Sequence, residues 1–450
     1  MREAITRRVH QCTTCMVRAI TGAVLLGVLA SCASTVSWGR YGEELDALSG
    51  EAWIRDLDTL ERELVRRHPN PFHTTDRATF EAALDELRAR TASGSGTRQE
   101  LADEMVAGVY GALALLREGH TAVNATPAVQ YPALIRRFRT EDGAWELRVA
   151  YSDESLPEIR GRRVTAIGGR DPVEVLETIA AYAPAELPAG RVFFGQRLMA
   201  DPRVMRGIGI AGSDGLAMSV AMPDGERDVL LVPQPVETLS LWSPNESVVE
   251  QSVDRPRSLS FTGNGRFWYE IVDGTLYFRY NSSTTDAVAM MDEIVAIIRA
   301  DEVERLVLDL RFNGGGNSFP GTRFVRQIAD ARVGRERGRF YVLISENTFS
   351  SAIMTAVDAM AETEAVFAGT ALATPVDSWG EVRRFALPES GLVIGHSTRF
   401  WDYASGKELR LVDGTIVPDP GFEALWTFDD WVQGYDPALE RVLATPVPTE

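Results

Sequence analysis

Residues 306–316 read LVLDLRFNGGG, an apolar run that leads into a polar segment and three glycines. A second apolar run, FYVLI at 340–344, is followed by TFSSA at 348–352. Both runs have the length and composition of buried strands. Glycine permits a positive φ, and bare backbone N–H groups at a strand end suit an oxygen that becomes negative during a reaction. Glycine N–H donors and a serine at a helix start together predict an acyl-transfer site.

Each half of this pattern also has an ordinary explanation. A triple glycine after a strand is commonly a turn, and a serine at a helix start is commonly an N-cap. The glycines do not form a phosphate-binding loop of the Walker type, because no Gly-Lys-Ser/Thr follows them. The order and spacing of the two halves favour the acyl-transfer interpretation.

The first 31 residues are predicted to be a targeting segment. Four arginines precede the apolar run 19–30, which is too short to span a bilayer. The run ends in LASC, and Cys32 at this place resembles the lipidated cysteine of bacterial lipoproteins, which becomes the new N-terminus. The alternatives are an ordinary signal peptide with an incidental cysteine, or a true start at Met16.

Cysteine and charge counts narrow the function further. Cys12 and Cys15 lie in the targeting segment, so we expect neither a metal site nor a redox pair, and cleavage leaves only Cys32. The formal net charge of −18 becomes −21 when the four arginines and one glutamate of residues 1–31 are removed. This acidity argues against nucleic acid and against anionic membrane surfaces. We therefore expect membrane attachment through the lipid anchor only. No aspartate follows Cys32, so the expected location is the outer membrane, facing the periplasm.

The chain contains a single lysine, Lys407, among 46 basic residues. Arginine essentially cannot deprotonate and is a poor general base. A mechanism that needs a lysine base must therefore use Lys407 or be abandoned.

Changes in periodicity along the chain predict three folded domains after the targeting segment at 1–31. Helical spacing predicts a helical N-terminal domain over 32–118. Short alternating segments with one clear helix predict a β-rich domain over 119–236. Strand–helix alternation predicts an α/β catalytic core with largely parallel strands over 237–450.

A serine nucleophile needs a base within reach and a carboxylate that orients the base. Ser350 and Ser351 compete for the role. We prefer Ser351, because the N–H of Ala352 would then join a glycine N–H in the oxyanion hole. His120 lies where the last N-terminal helix ends, and Glu408 is a candidate carboxylate. A structural histidine and a solvated glutamate are the alternatives.

Together these motifs resemble those of the tail-specific (C-terminal-processing) serine proteases, and within that family the tricorn-core-like branch. The resemblance covers nearly all of the chain after the targeting segment. The matching motifs, in chain order, are HPNP at 68–71, GHT at 119–121, GRRVTAIGG at 161–169, DLRFNGGG at 309–316, SA at 351–352 and IVPD at 416–419.

The resemblance implies a ClpP/crotonase-like catalytic core and a PDZ-like β-rich domain that offers a groove for a peptide strand. It implies a serine endopeptidase that cleaves envelope or periplasmic polypeptides by a Ser-His-Glu acyl-enzyme mechanism, with no cofactor and no metal. Ser351, His120 and Glu408 match the triad, and Gly315 and Ala352 match the oxyanion hole. The family's serine–lysine variant is excluded unless Lys407, which lies far beyond the position where that variant has its lysine, moves into the site.

Two alternatives remain open. A catalytically inactive peptide-binding envelope lipoprotein is favoured by Met354, where family members often have glutamate, and by the altered segment 413–418. A crotonase-like acyl-CoA enzyme shares glycine-rich oxyanion loops, but the near-absence of lysine and the secretory segment argue against it. The substrate's identity and the oligomeric state do not follow from the sequence.

Overall fold

The computed structural model describes residues 39–93, 96–242, 258, 260 and 265–449. The predicted targeting segment and the predicted lipidation of Cys32 lie outside the described residues. The chain divides into an N-terminal unit, Thr35–Ser247 with Ser378–Trp401, and a C-terminal unit, Val248–Asp377 with Asp402–Glu450.

Nine helices of eight residues or more lie in the described ranges. They are α1 (Gly50–Arg67), α2 (Arg77–Ala92), α3 (Arg98–Leu115), α4 (Pro172–Ala180), α5 (Pro188–Leu198), α6 (Val288–Arg299), α7 (Phe319–Ile328), α8 (Ser351–Glu362) and α9 (Pro437–Ala444). Shorter helices are Pro202–Gly207, Arg332–Arg335 and Phe428–Gln433.

Twelve strands of four residues or more are described. They are β1 (Ala133–Arg139), β2 (Trp145–Asp153), β3 (Val164–Ile167), β4 (Leu216–Met222), β5 (Gly225–Leu231), β6 (Phe267–Val272), β7 (Thr275–Tyr280), β8 (Arg305–Asp309), β9 (Phe340–Ile344), β10 (Val366–Gly369), β11 (Arg383–Ala386) and β12 (Val393–His396). Strands of two or three residues are Arg40–Tyr41, Ala122–Val123, Thr126–Pro127, Val129–Gln130, Gln234–Pro235, Leu241–Trp242, Ser378–Gly380, Arg399–Trp401, Leu411–Val412 and Thr415–Ile416.

The C-terminal unit is built on a five-stranded sheet in the order β6-β7-β8-β9-β10. β6 and β7 form an antiparallel hairpin, whereas β7 to β10 are parallel and alternate with helices. Every residue of β8 and β9 is buried, as expected for central parallel strands. Parallel strands end at the same edge of a sheet. The glycine loop (residues 312–316) after β8 and the serine turn (residues 348–352) after β9 therefore lie next to each other.

The N-terminal unit contains the helices α1 to α3 and two small antiparallel sheets, β1 with β2 and β3-β4-β5. The short strand Ala122–Val123 pairs with β12, which pairs with β11. This pairing places 378–401 in the N-terminal unit, whereas the sequence places it in a continuous core over 237–450. The long sequence separation of the paired strands hides it from local patterns.

The number of helices is larger than expected in two segments of the chain. The β-rich segment contains α5 and Pro202–Gly207 besides the predicted helix α4. Only Gly190 and Gly195 of α5 are buried, so α5 lacks the apolar stripe by which a helix is recognised. The segment 426–444 contains two helices, Phe428–Gln433 and α9, because Gly434 adopts a left-handed conformation that ends the first. Within the described ranges, no helix has the length and apolar character needed to cross a bilayer.

Candidate active site

The serine turn is the sharp bend between β9 and α8 in the C-terminal unit. Ser350 caps α8 with φ 55° and ψ −126°, a conformation that non-glycine residues rarely adopt. Its carbonyl accepts the N–H of Ile353 at 2.9 Å, so the strained residue starts the helix. Ser350 is partly exposed, whereas Ser351 is 3% exposed. The Oγ of Ser351 is buried and has no hydrogen-bond partner among the described residues.

The glycine loop follows β8 and packs directly against the serine turn. Gly315 has φ 98°, and a Cβ added to it would lie 2.6 Å from the Cβ of Ser350. No side chain fits there, which explains the need for glycine at this position. The N–H of Phe349 donates to the carbonyl of Asn313 at 3.0 Å, and this bond joins the two segments.

Asn313 organises the glycine loop from inside and is 0% exposed. Its Oδ1 accepts the N–H of Gly315 at 2.9 Å and the hydroxyl of Ser283 at 3.2 Å. Its Nδ2 donates to the carbonyl of Tyr280 at 2.8 Å. The side-chain amide therefore satisfies a glycine N–H that would otherwise point at the site. The sequence shows this residue only as part of a motif.

Both predicted oxyanion donors are engaged within the protein. The N–H of Gly315 donates to Asn313, and the N–H of Ala352 donates to the carbonyl of Phe349 at 3.1 Å. Within the described residues, the N–H groups of Ser351 and Gly316 donate no hydrogen bond. Ser351 directly follows Ser350 in the chain. Gly316 follows Gly315, which packs against Ser350.

A buried ion network supports the start of the glycine loop. Arg311 donates to Asp309 at 2.7 Å and to Asp436 at 2.6 Å, and all three residues are 4% exposed or less. Burial alone would raise the pKa of Asp309, but the charge and hydrogen bond of Arg311, the charge of Arg279 and the hydrogen bond of Tyr277 together lower it. The positive charge of Arg311 and the negative charges of Asp309 and Asp436 therefore compensate one another at the start of the glycine loop.

The histidine turn, residues 118–121, lies in the N-terminal unit just after α3. His120 is 7% exposed. Burial lowers the pKa of His120 from 6.5 to about 4, against the charge of Glu118 and a hydrogen bond with the Trp379 backbone. The imidazole is therefore neutral at neutral pH, which is the form that a general base requires.

Glu118 is a carboxylate with 0% exposure two residues before His120. It accepts Nε2 of His68 at 2.8 Å, the hydroxyl of Thr121 at 2.6 Å and the hydroxyl of Ser397. Burial alone would raise the pKa of Glu118, but His68 and the two hydroxyls together lower it. Glu118 thus ties the histidine turn to the end of α1 and to the residue after β12.

Glu186 contacts the same turn from another segment. Its Oε1 accepts the N–H of Gly119 at 3.2 Å, and its Oε2 is buried without a hydrogen-bond partner among the described residues. Burial raises the pKa of Glu186 from 4.5 to about 7, and the charge of Glu118 adds to that rise. Sequence reasoning missed both Glu118 and Glu186, because nothing local marks a buried glutamate.

Glu408 lies in the C-terminal unit, in the segment between Arg399–Trp401 and Leu411–Val412. Its side chain is exposed. Ser351, Gly315 and Ala352 lie together where β8 and β9 end, and Glu408 belongs to the same unit, while His120 belongs to the N-terminal unit. No cluster of three or more metal-binding side chains occurs in the described part of the chain.

Comparison with known proteins identifies the fold of the chain. No protein-family model matches the chain, and no curated protein matches its sequence. Among solved structures, mature CPAF complexed with lactacystin is similar, with a TM-score of 0.58 and 13% identity over 87% of this chain and 97% of that chain. A second structure of mature CPAF has a TM-score of 0.56 and 13% identity over 87% of this chain and 96% of that chain.

The photosystem II D1 C-terminal processing protease is also similar, with a TM-score of 0.35 and 13% identity over 87% of this chain and 99% of that chain. At these identities, the likeness to CPAF shows the fold. The chain shares the α/β fold of CPAF, and the predicted fold class is confirmed.

Proposed function

We propose that this protein is a serine peptidase that cleaves polypeptides of the bacterial envelope through an acyl-enzyme. The observation that carries the proposal is the strained serine turn packed against a glycine loop, with two N–H donors that bond to no other described residue. Such donors stabilise the oxyanion of acyl transfer, and one donor is worth about 3–4 kcal/mol of barrier in other enzymes. The shared fold with CPAF supports the same reaction class.

The turn's geometry favours Ser350 as the nucleophile, although the sequence alone favours Ser351. Ser350 is partly exposed and occupies the sharp bend, whereas the hydroxyl of Ser351 is buried. With Ser350 as nucleophile, the N–H of the next residue, Ser351, and the N–H of Gly316 form the oxyanion hole. With Ser351 as nucleophile, the predicted donors would first have to break their internal hydrogen bonds.

In the proposed reaction, His120 accepts the proton of the serine hydroxyl as its Oγ attacks the peptide carbonyl carbon. The C–N bond breaks, and the imidazolium returns the proton to the leaving amine. Water, deprotonated by His120, then attacks the ester carbon. The C–Oγ bond breaks, the imidazolium returns the proton to the serine oxygen, and the new carboxyl end is released. Glu408 orients the imidazole and stabilises its charged form.

A fluorophosphonate probe tests the chemistry and separates the two serines. We expect the folded wild type to be labelled, Ser350→Ala to lose labelling, and Ser351→Ala to keep it. Loss of labelling in Ser351→Ala alone would assign the nucleophile to Ser351. No labelling of folded wild type would refute the peptidase and leave a peptide-binding envelope protein.

Lipid attachment through Cys32, in an outer membrane facing the periplasm, is part of the same proposal and has its own test. A clickable palmitate analogue should label the wild-type protein in a bacterial host and should not label Cys32→Ala. Equal labelling of both would refute the anchor and leave the peptidase proposal untouched.

A further inference from the structure

The only lysine of the chain is held against the serine helix α8. The Nζ of Lys407 donates to Oδ1 of Asp358 at 3.3 Å and lies 3.4 Å from the centroid of the Tyr403 ring. Asp358 is 1% exposed. An ammonium that contacts both a buried carboxylate and an aromatic face is anchored at two points.

Asp358 collects further donors around this anchor. The hydroxyl of Tyr403 lies 2.9 and 3.0 Å from its two oxygens, and the hydroxyl of Thr322 donates at 2.6 Å. Burial raises the pKa of Tyr403 to about 12, so Tyr403 stays a hydroxyl donor at neutral pH. One buried carboxylate therefore holds Tyr403 and Lys407 of the same loop.

Two backbone bonds hold the rest of the loop 402–410. The N–H of Ala404 donates to Oδ1 of Asp377 at 2.7 Å, and the N–H of Arg410 donates to Sδ of Met360 on α8 at 3.2 Å. Glu408 lies between the anchored Lys407 and Arg410. Its backbone is fixed on both sides while its side chain remains exposed.

Asp358 follows Ser350 by eight residues on a continuous helix, about 12 Å along its axis. A helix is rigid over this length, so a loop fastened at Asp358 keeps a constant distance from the serine turn. We propose that Lys407 is a positioning residue, which with Tyr403 clamps the loop that carries Glu408 onto α8. This inference rests on the proposed function, because Glu408 needs a fixed place only if it orients the base.

The uniqueness of Lys407 allows a direct test of the clamp. Reductive methylation with ¹³C-formaldehyde keeps the charge and labels one side chain, that of Lys407, besides any free terminal amine. The signal that is missing in Lys407→Met identifies the lysine. We expect its methyl signal to be shifted upfield by the Tyr403 ring current, to remain shifted in Tyr403→Phe, and to lose the shift in Tyr403→Ala. An unshifted signal in the folded wild type would overturn the clamp.

The positioning role is tested by the kinetics of fluorophosphonate labelling. We expect Lys407→Met to lower the bond-forming rate constant about ten- to a hundredfold without weakening probe affinity, because small displacements of catalytic groups cost this much. Lys407→Arg should recover part of the rate. Arg326→Met is the matched control, since Arg326 pairs with Glu362 of α8 at 3.4 Å but lies on α7.

The outcomes separate the two proposals. If the wild type is labelled and Lys407→Met is labelled at the same rate, the positioning role is refuted and the peptidase stands. If Lys407→Met unfolds, Tyr403→Phe and Lys407→Arg decide in its place, and unchanged rates in both overturn the inference. If folded wild type is never labelled, the peptidase proposal fails and the positioning role fails with it.

Discussion

The serine turn and the histidine turn hold their candidate catalytic side chains by opposite means. The serine turn is positioned by neutral contacts, in which a glycine allows close approach and the Asn313 amide satisfies the loop. The histidine turn is positioned by the buried carboxylate of Glu118, which accepts three side-chain donors. The first turn stores backbone strain at Ser350, whereas the second stores buried charge.

The two turns should therefore respond to different perturbations. Neutral hydrogen bonds and φ strain are insensitive to pH. The buried Asp309 at the start of the glycine loop has a lowered pKa, so at mildly acid to neutral pH the serine turn should change only with substitution. Buried titratable groups couple folding to proton binding, so the histidine turn should also change with pH. Each of the following variants perturbs one of the two turns.

The largest effect is expected from Glu118→Ala. It leaves His68, Thr121 and Ser397 without their shared buried acceptor, and loss of one partner of a buried charged network costs about 3–5 kcal/mol. Chemical denaturation at neutral pH measures the loss. The exposed Glu141→Ala is the control, expected within about 0.5 kcal/mol of wild type. Equal stability of the two variants would show that Glu118 does not hold the turn.

The pH dependence of stability should reveal His120. Its pKa is lowered to about 4, while the unfolded chain binds the proton near 6.5. The contribution of the neutral ring is fully present above pH 6.5 and is lost as the pH falls towards 4, on the order of 3 kcal/mol in total. Glu186, whose pKa is raised to about 7, contributes a pH dependence of opposite sign in the same window. The slope of the free energy of unfolding against pH, measured by denaturation, should therefore be lower in His120→Gln than in wild type. His73→Gln, at a partly exposed position, should keep the wild-type slope; a shared slope in all three proteins would contradict the account.

Asn313→Ala should destabilise the C-terminal unit by about 2 kcal/mol, because the N–H of Gly315 and the hydroxyl of Ser283 lose a buried acceptor. The loss should be the same at pH 5 and pH 7, as expected for neutral contacts. Asn281→Ala, which removes one bond with Arg279 at a partly buried position, should cost less. A strongly pH-dependent loss in Asn313→Ala would break the contrast between the two turns.

The smallest effect, and one of opposite sign, is expected from Ser350→Gly. Glycine adopts the positive φ of this position without strain, so thermal unfolding should show a gain of about 1 kcal/mol while labelling is abolished. Ser351→Gly is the paired control and should lose stability, since glycine is unfavourable inside a helix. Destabilisation by Ser350→Gly would mean that the bend is not strained.

Much of the fold follows from local patterns. The two strands that lead to the glycine loop and the serine turn agree with the sequence, because a short continuous apolar run is typical of a buried parallel strand. The placement of 378–401 does not follow, since it depends on pairing with Ala122–Val123 across more than 250 residues.

The candidate site divides in the same way. The order of the glycines and the serines in the sequence predicts the serine turn, because a backbone conformation restricts which residue types can adopt it. The φ of Ser350 and the internal hydrogen bonds of Gly315 and Ala352 have no sequence signature. For this reason the sequence alone favours Ser351, whereas the proposed nucleophile is Ser350. Glu118 and its partner His68 are 50 residues apart, and only the fold makes them neighbours.

The central claim is that Ser350 performs the covalent chemistry. Folded wild-type protein should be treated with a fluorophosphonate, digested, and analysed by tandem mass spectrometry of the peptide that contains the serine turn. The account predicts one phosphonyl adduct on Ser350. An adduct on Ser351, or none on either serine in folded protein, would contradict it.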